Sequence, residues 1–246
     1  MDLGEKMNLS EVHDDLFRIL KAFDKLCAEY TIEYTLHGGT LLGAVRYNDF
    51  IPWDDDLDVA LTRNNFAKLK EALLHNCHFE VKYKDTWTAR LCYEHDDQHA
   101  IDLFIYDYIS DKFLGEKIKI NLLRFCQGTF HERIDFAHYA PKYWVVLFIT
   151  CAIGRIVSYR KKLMIYEYIC EHFSGKKKKI HRSNDSFIGV GLVFKKEVME
   201  NYSRIQIRDD FFMCSKEYKE ILIASYGPDY LIPPPESERK PQHKKI

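Results

Sequence analysis

Apolar residues recur at three- and four-residue intervals from Asn8 to Tyr30, where Leu9, Val12, Leu16, Phe17, Leu20, Phe23, Leu26 and Cys27 form one stripe. That is the period of an amphipathic helix, and Asn8 followed by Glu11 resembles a capping box at its start. The segment Ile32-Glu33-Tyr34-Thr35-Leu36 instead alternates and is rich in β-formers, so it reads as a strand running into Gly38-Gly39. A short helix is expected over Thr40 to Arg46, a turn around Pro52, and a second strand over Asp56 to Leu61. The pattern then predicts a helix over Asn64 to His75 and strands over Phe79 to Tyr83, Thr88 to Tyr93 and His99 to Tyr106. From Gly115 to about Ser174 it is mostly helical, and the tail from about residue 232 is proline-rich and extended. Alternating helices and strands followed by a mainly helical C-terminal half indicate α/β or α+β architecture. The division expected is residues 1–110 as one domain and 111–246 as a helical region completing it.

Composition narrows the class of partner. The 246 residues carry 36 basic and 37 acidic side chains, for a formal charge of -1. No global field draws in nucleic acid, and any anion site has to be built locally. Seven cysteines stand singly, with no CxxC spacing, which reads as reduced thiols in a cytoplasmic protein. The polar, acidic start is no signal peptide. One stretch complicates this picture. Tyr143 to Ile153 is uninterruptedly apolar, with Lys142 before it and Arg160-Lys161-Lys162 after it. It is too short for the roughly 20 residues of a membrane span. A buried core helix is the favoured reading, and a helix lying at the inner face of the membrane is the alternative.

The densest chemistry lies in Gly38-Gly39-Thr40-Leu41-Leu42-Gly43 and Ile51-Pro52-Trp53-Asp54-Asp55-Asp56-Leu57-Asp58-Val59. Alternate side chains of a strand share a face, so Asp56 and Asp58 point the same way. Two ionised carboxylates that close repel unless a cation sits between them, and Mg2+ (or Mn2+) suits hard oxygen ligands. Asp102 is a single acid inside the apolar run Ala100-Ile101-Asp102-Leu103-Phe104-Ile105. Such an acid is costly unless it is paired or metal-bound. If its strand lies beside the other, three carboxylates converge. Glycines 38 and 39 let backbone approach an anion, and a helix start beyond them would aim N–H groups at a phosphate. Thr40 can add a hydroxyl and Arg46 a guanidinium. His95, Asp96, Asp97 and His99 read as a polar loop, and Lys176 to Lys179 as a solvated basic turn.

At these residues the chain resembles the LicD family of phosphocholine transferases, which has fukutin and fukutin-related protein as distant relatives. Leu36 to Arg63, LHGGTLLGAVRYNDFIPWDDDLDVALTR, looks like that family's signature. Ala100 to Phe104 with Asp107, and Tyr226-Gly227-Pro228-Asp229-Tyr230-Leu231 running into Pro233-Pro234-Pro235, resemble its later motifs. The resemblance implies an α+β, nucleotidyltransferase-like mixed sheet with flanking helices. It also implies a divalent metal and transfer of a phospho-alcohol from CDP-choline or a related CDP-alcohol to a glycan or lipid-linked glycan, releasing CMP. Carried onto this chain, Asp56, Asp58 and Asp102 become the metal ligands and Gly38-Gly39-Thr40 the phosphate loop, with Arg46 on the phosphates. Trp53 is a candidate wall for a cationic head group. Asp102 is also a candidate general base. Two other readings stand beside it: transfer of a nucleoside monophosphate with release of pyrophosphate, and an inactive glycan- or nucleotide-binding protein.

Overall fold

The computed structural model describes residues 8–83, 85–94, 96–131, 141 and 144–240, with the side chains of 96–98 left aside. In chain order the elements are α1 (Leu9–Glu29), β1 (Thr35–Leu36), α2 (Gly38–Tyr47), β2 (Leu57–Thr62), α3 (Arg63–Ala72), β3 (Phe79–Lys82), β4 (Ala89–Tyr93) and β5 (Asp96–Ile109). There follow α4 (Phe113–Phe130), α5 (Trp144–Ile156), α6 (Tyr159–Glu171), β6 (Lys179–Arg182), β7 (Val193–Lys195), β8 (Tyr202–Ile207), β9 (Asp210–Ser215) and α7 (Tyr218–Tyr226). The α+β class expected from the pattern is what is found. The four strands after residue 178 are additions to it.

Two compact units divide the chain: residues 1–82, 90–104 and 197–246 form one, and 83–89 with 105–196 the other. The last fifty residues thus return to the first unit, a division that differs from a break at 110. In the first unit the sheet order is β1-β2-β5-β4-β3. Strands β1 and β2 run antiparallel, pairing Thr35 with Ala60 and Leu36 with Val59. Every residue of β2 from Leu57 to Leu61 is buried, because α2 and α3 pack against it. Helix α1 starts at Asn8, whose side chain accepts from Ser10 N–H at 3.2 Å, and it buries Val12, Leu16, Ile19, Leu20 and Phe23. The β8–β9 hairpin braces β1: Ser215 N donates to Thr35 Oγ1 at 2.9 Å.

In the second unit the end of β5 pairs with β6, Tyr106 opposite Arg182 and Tyr108 opposite Ile180, and β6 pairs with β7. Helix α4 packs against α5 and α6. Here one expectation fails. Helix α5, read as a buried core helix, buries only Thr150 and Cys151, and Val145 and Phe148 are 69% and 67% exposed. Its ridge of small residues is what meets α4. A Cβ on Gly128 would come within 2.7 Å of Thr150 Oγ1, and one on Gly154 would fall on the Thr129 carbonyl. Tyr143 and Lys142, at its start, lie outside the described residues, as do His95 of the polar loop and residues 241–246 of the tail. Among the described residues no helix is long and apolar enough to cross a membrane.

Candidate active site

The β1–β2 register explains why the glycine pair meets the acids. With Leu36 opposite Val59, the next residue, His37, donates its N–H to the Asp58 carbonyl at 3.0 Å. The chain then turns into α2 at Gly38, whose φ of +47° lies in the left-handed region that favours glycine. Asp58 is 7% exposed, and its Oδ2 accepts from Gly39 N–H at 3.0 Å. A Cβ on Gly38 would fall on Asp58 Oδ2, and one on Gly39 on Asp54 Oδ2. The glycines therefore make room for two carboxylates. The anion received by the N-terminus of α2 is Asp58 itself, in the place where a helix start attracts negative charge.

Asp54, Asp56, Asp58 and Asp102 act on one another electrostatically. Burial, then the charge and hydrogen bond of Asp56, push the Asp54 carboxyl from its ordinary 3.8 up to about 8. Burial, then the charges of Asp56, Asp102 and Asp54, push Asp58 well above the ordinary range, with the Gly39 N–H opposing. The expected neighbourhood of Asp102 to the Asp58 strand is present, since β5 lies beside β2. What the sequence did not show is Arg90 on β4, whose Nε donates to Asp102 Oδ1 at 2.6 Å. Among the described residues no set of three or more His, Cys, Asp or Glu side chains closes into metal-holding geometry. The donor chemistry nonetheless fits a hard divalent cation: oxygen donors only, with Asp58 and its neighbour Asp54 held toward protonation by burial first and by adjacent charge second.

Thr40 and Arg46 stand where phosphate contacts were expected, and both are engaged with the protein. Thr40 is buried, and its hydroxyl accepts the Asp58 N–H at 2.8 Å. Arg46 donates to the carbonyls of Tyr230 and Ile232 at 2.6 and 3.0 Å. Trp53 is half-buried, with the Arg239 guanidinium 5.1 Å from its ring centre. Two glycine-proximal features thus clamp the C-terminal motif. His13 of α1, also missed from the sequence, holds the acidic loop through Nε2 and the Asp54 carbonyl at 2.8 Å. Its place on the apolar stripe of α1, four residues after Leu9 and three before Leu16, hinted at it. Asp107 belongs to the second unit, where it accepts from the Ser183 hydroxyl.

The α+β sheet thus carries a glycine turn folded onto closely spaced aspartates. Residues 31–145 match the model of the LicD/FKTN/FKRP nucleotidyltransferase domain. It is 26% identical over 266 residues, 97% of either chain, to the lipopolysaccharide cholinephosphotransferase LicD of Haemophilus influenzae. Shorter likenesses are to uncharacterized proteins of Rickettsia typhi, 30% identical over 46% of this chain and 33% of that one, and of Rickettsia prowazekii, 29% identical over 43% and 38%.

Proposed function

We propose that the chain transfers phosphocholine from a CDP-linked donor to the glycan of a lipopolysaccharide-type acceptor and releases CMP. The observation that carries the reading is the packing of the Asp54 and Asp58 carboxylates onto Gly38-Gly39, in a chain aligned end to end with a relative bearing that activity in its name. In the reaction an acceptor hydroxyl oxygen bonds to the phosphorus that carries choline. The bond from that phosphorus to the CMP oxygen breaks, CMP keeps the electron pair, and the hydroxyl proton passes to a base.

Asp56, Asp58 and Asp102 are assigned to hold Mg2+ or Mn2+, which when bound supplies charge neutralisation for the diphosphate and the departing CMP. Gly38 and Gly39, expected as a phosphate loop, instead leave room for the Asp58 and Asp54 carboxylates and so set the acids' positions. Thr40 is a positioning residue that fixes the Asp58 backbone, and Arg46 positions the C-terminal segment. Arg90 orients Asp102 through its bond to Oδ1. Trp53 offers a ring face for a quaternary ammonium, the kind of cation an indole attracts, and Arg239 lies against that ring.

The test is CMP release from CDP-choline in the presence of lipopolysaccharide, with Mg2+ and with EDTA, and with CDP-ribitol and CDP-glycerol as competing donors. Metal-dependent CMP release that an Asp58→Asn variant of unchanged circular dichroism has lost would support the reading. Pyrophosphate release from CTP, with CDP-choline inert, would replace it by nucleotidyl transfer.

A further inference from the structure

The second unit has an apolar interior, where Leu123 and Phe130 of α4 cluster with Tyr166 and Ile169 of α6, and it also turns large apolar side chains toward water. On α5 the exposed positions include Val145, Val146, Phe148, Ile149, Ile153 and Ile156, while the buried ones are Thr150 and Cys151. On α4 the exposed stripe is Leu114, Ile118, Leu122 and Phe125, at helical spacing on one face. Its inward side buries Ile120, Leu123 and Phe130 together with Lys119, which donates to the Tyr108 and Cys170 carbonyls, and Gln127, which donates to Tyr166 Oη and the Asp185 carbonyl, so α4 is apolar on both sides. The seam between α4 and α5 is made of Gly128, Thr129, Thr150 and Gly154. A helix in water shows the reverse of the order on α5, apolar face inward. Small residues at the seam and large apolar ones outside is the order found where the surroundings are lipid.

We infer that α4 and α5 form a membrane-docking surface, and that its occupant is the interfacial layer of a bilayer bearing anionic head groups. Length decides between lying in the layer and crossing it. Thirteen residues of α5 extend about 20 Å, short of the roughly 30 Å hydrocarbon core. Charge decides the lipid. Arg160 and Lys161 are exposed directly beyond α5, and Lys117 is exposed on α4, where cations beside an apolar face favour an anionic surface. The inference stands without the transfer reaction. Combined with it, the surface would hold the enzyme where a lipid-carried acceptor is found.

The experiment is flotation of the full chain with vesicles of phosphatidylglycerol and phosphatidylcholine, against vesicles of phosphatidylcholine alone, at low and raised salt. The chain is expected to float with the anionic vesicles. The Val145→Asp/Phe148→Asp variant should bind at least about tenfold more weakly, since two large apolar groups leave the layer. The Arg160→Glu/Lys161→Glu variant should lose the preference for anionic lipid. Both alter exposed positions, and a native circular dichroism melt confirms that they fold. Absence of flotation with either vesicle would overturn the inference. So would flotation untouched by the variants, or a dimer in light scattering that Val145→Asp/Phe148→Asp dissolves, which would make the surface a contact between copies. CMP release measured on a soluble acceptor is a separate readout, so failure of docking and failure of the transfer reading are told apart.

Discussion

Asp54→Asn removes one titratable carboxyl from the acidic cluster while keeping the side chain's shape, and its effect should depend on pH in a direction set by the structure. The folded chain holds the Asp54 proton up to about pH 8, whereas an ordinary aspartate releases it near 3.8. Between those values the folded state binds a proton that the unfolded state has lost, so stability falls as pH rises. The cost is absent below about pH 4, grows by about 1.4 kcal/mol per pH unit, and is complete above about pH 8. From about pH 5 to about pH 8 it reaches at most about 4 kcal/mol for this one group. Urea unfolding in EDTA, followed by circular dichroism, reads it as a midpoint lower by about 1–2 M at the higher pH. The Asp54→Asn variant lacks the titration and relieves Asp58 as well, so its midpoint should change far less over the same range. Parallel pH dependence of wild type and variant would refute the crowded-carboxylate account.

Gly43→Ala should cost about 1–3 kcal/mol, because its Cβ would meet the Asp49 carbonyl oxygen at 2.6 Å and the Ile51 nitrogen at 2.8 Å, both backbone; an unchanged melting temperature would contradict the packing. Arg46→Ala removes two bonds to the Tyr230 and Ile232 carbonyls and should free the segment beyond, seen as faster tryptic cleavage after Arg239 with a stability loss of about 1–3 kcal/mol. A thiol reagent on the native protein should find one fast cysteine. Cys77 is exposed, five others are buried, and burial pushes the half-buried Cys126 up to about 11; two or more fast thiols would contradict this burial.

Much of the site was legible because its signals are local. The glycine turn and Asp58 on a strand follow from turn chemistry and the β pattern, although the helix already begins at Gly38 and the strand only at Leu57, which leaves Asp56 just before it. Helix α1 was readable for the same reason: a long stripe at one period, with an Asn cap. The β8–β9 hairpin was not. Its turn uses Arg208 at φ +56° instead of glycine, and β8 carries exposed polar residues between its apolar ones, so neither the turn signal nor a clean alternation marks it.

By itself the sequence determined which residues carry charge, which runs before residue 178 are helix or strand, and that an acid stands inside an apolar strand at Asp102. Only the tertiary structure decided what those residues meet. Sheet order places Arg90 on Asp102 across β4 and β5, and the β1–β2 register sets Gly38 against Asp58. Chain return brings Tyr230 to Arg46 from 184 residues away. Periodicity shows that α5 is apolar, but which side faces the protein depends on what packs beside it. There Gly128 and Gly154 allow so close an approach that the small side of the helix turns inward and the large apolar side is left outside.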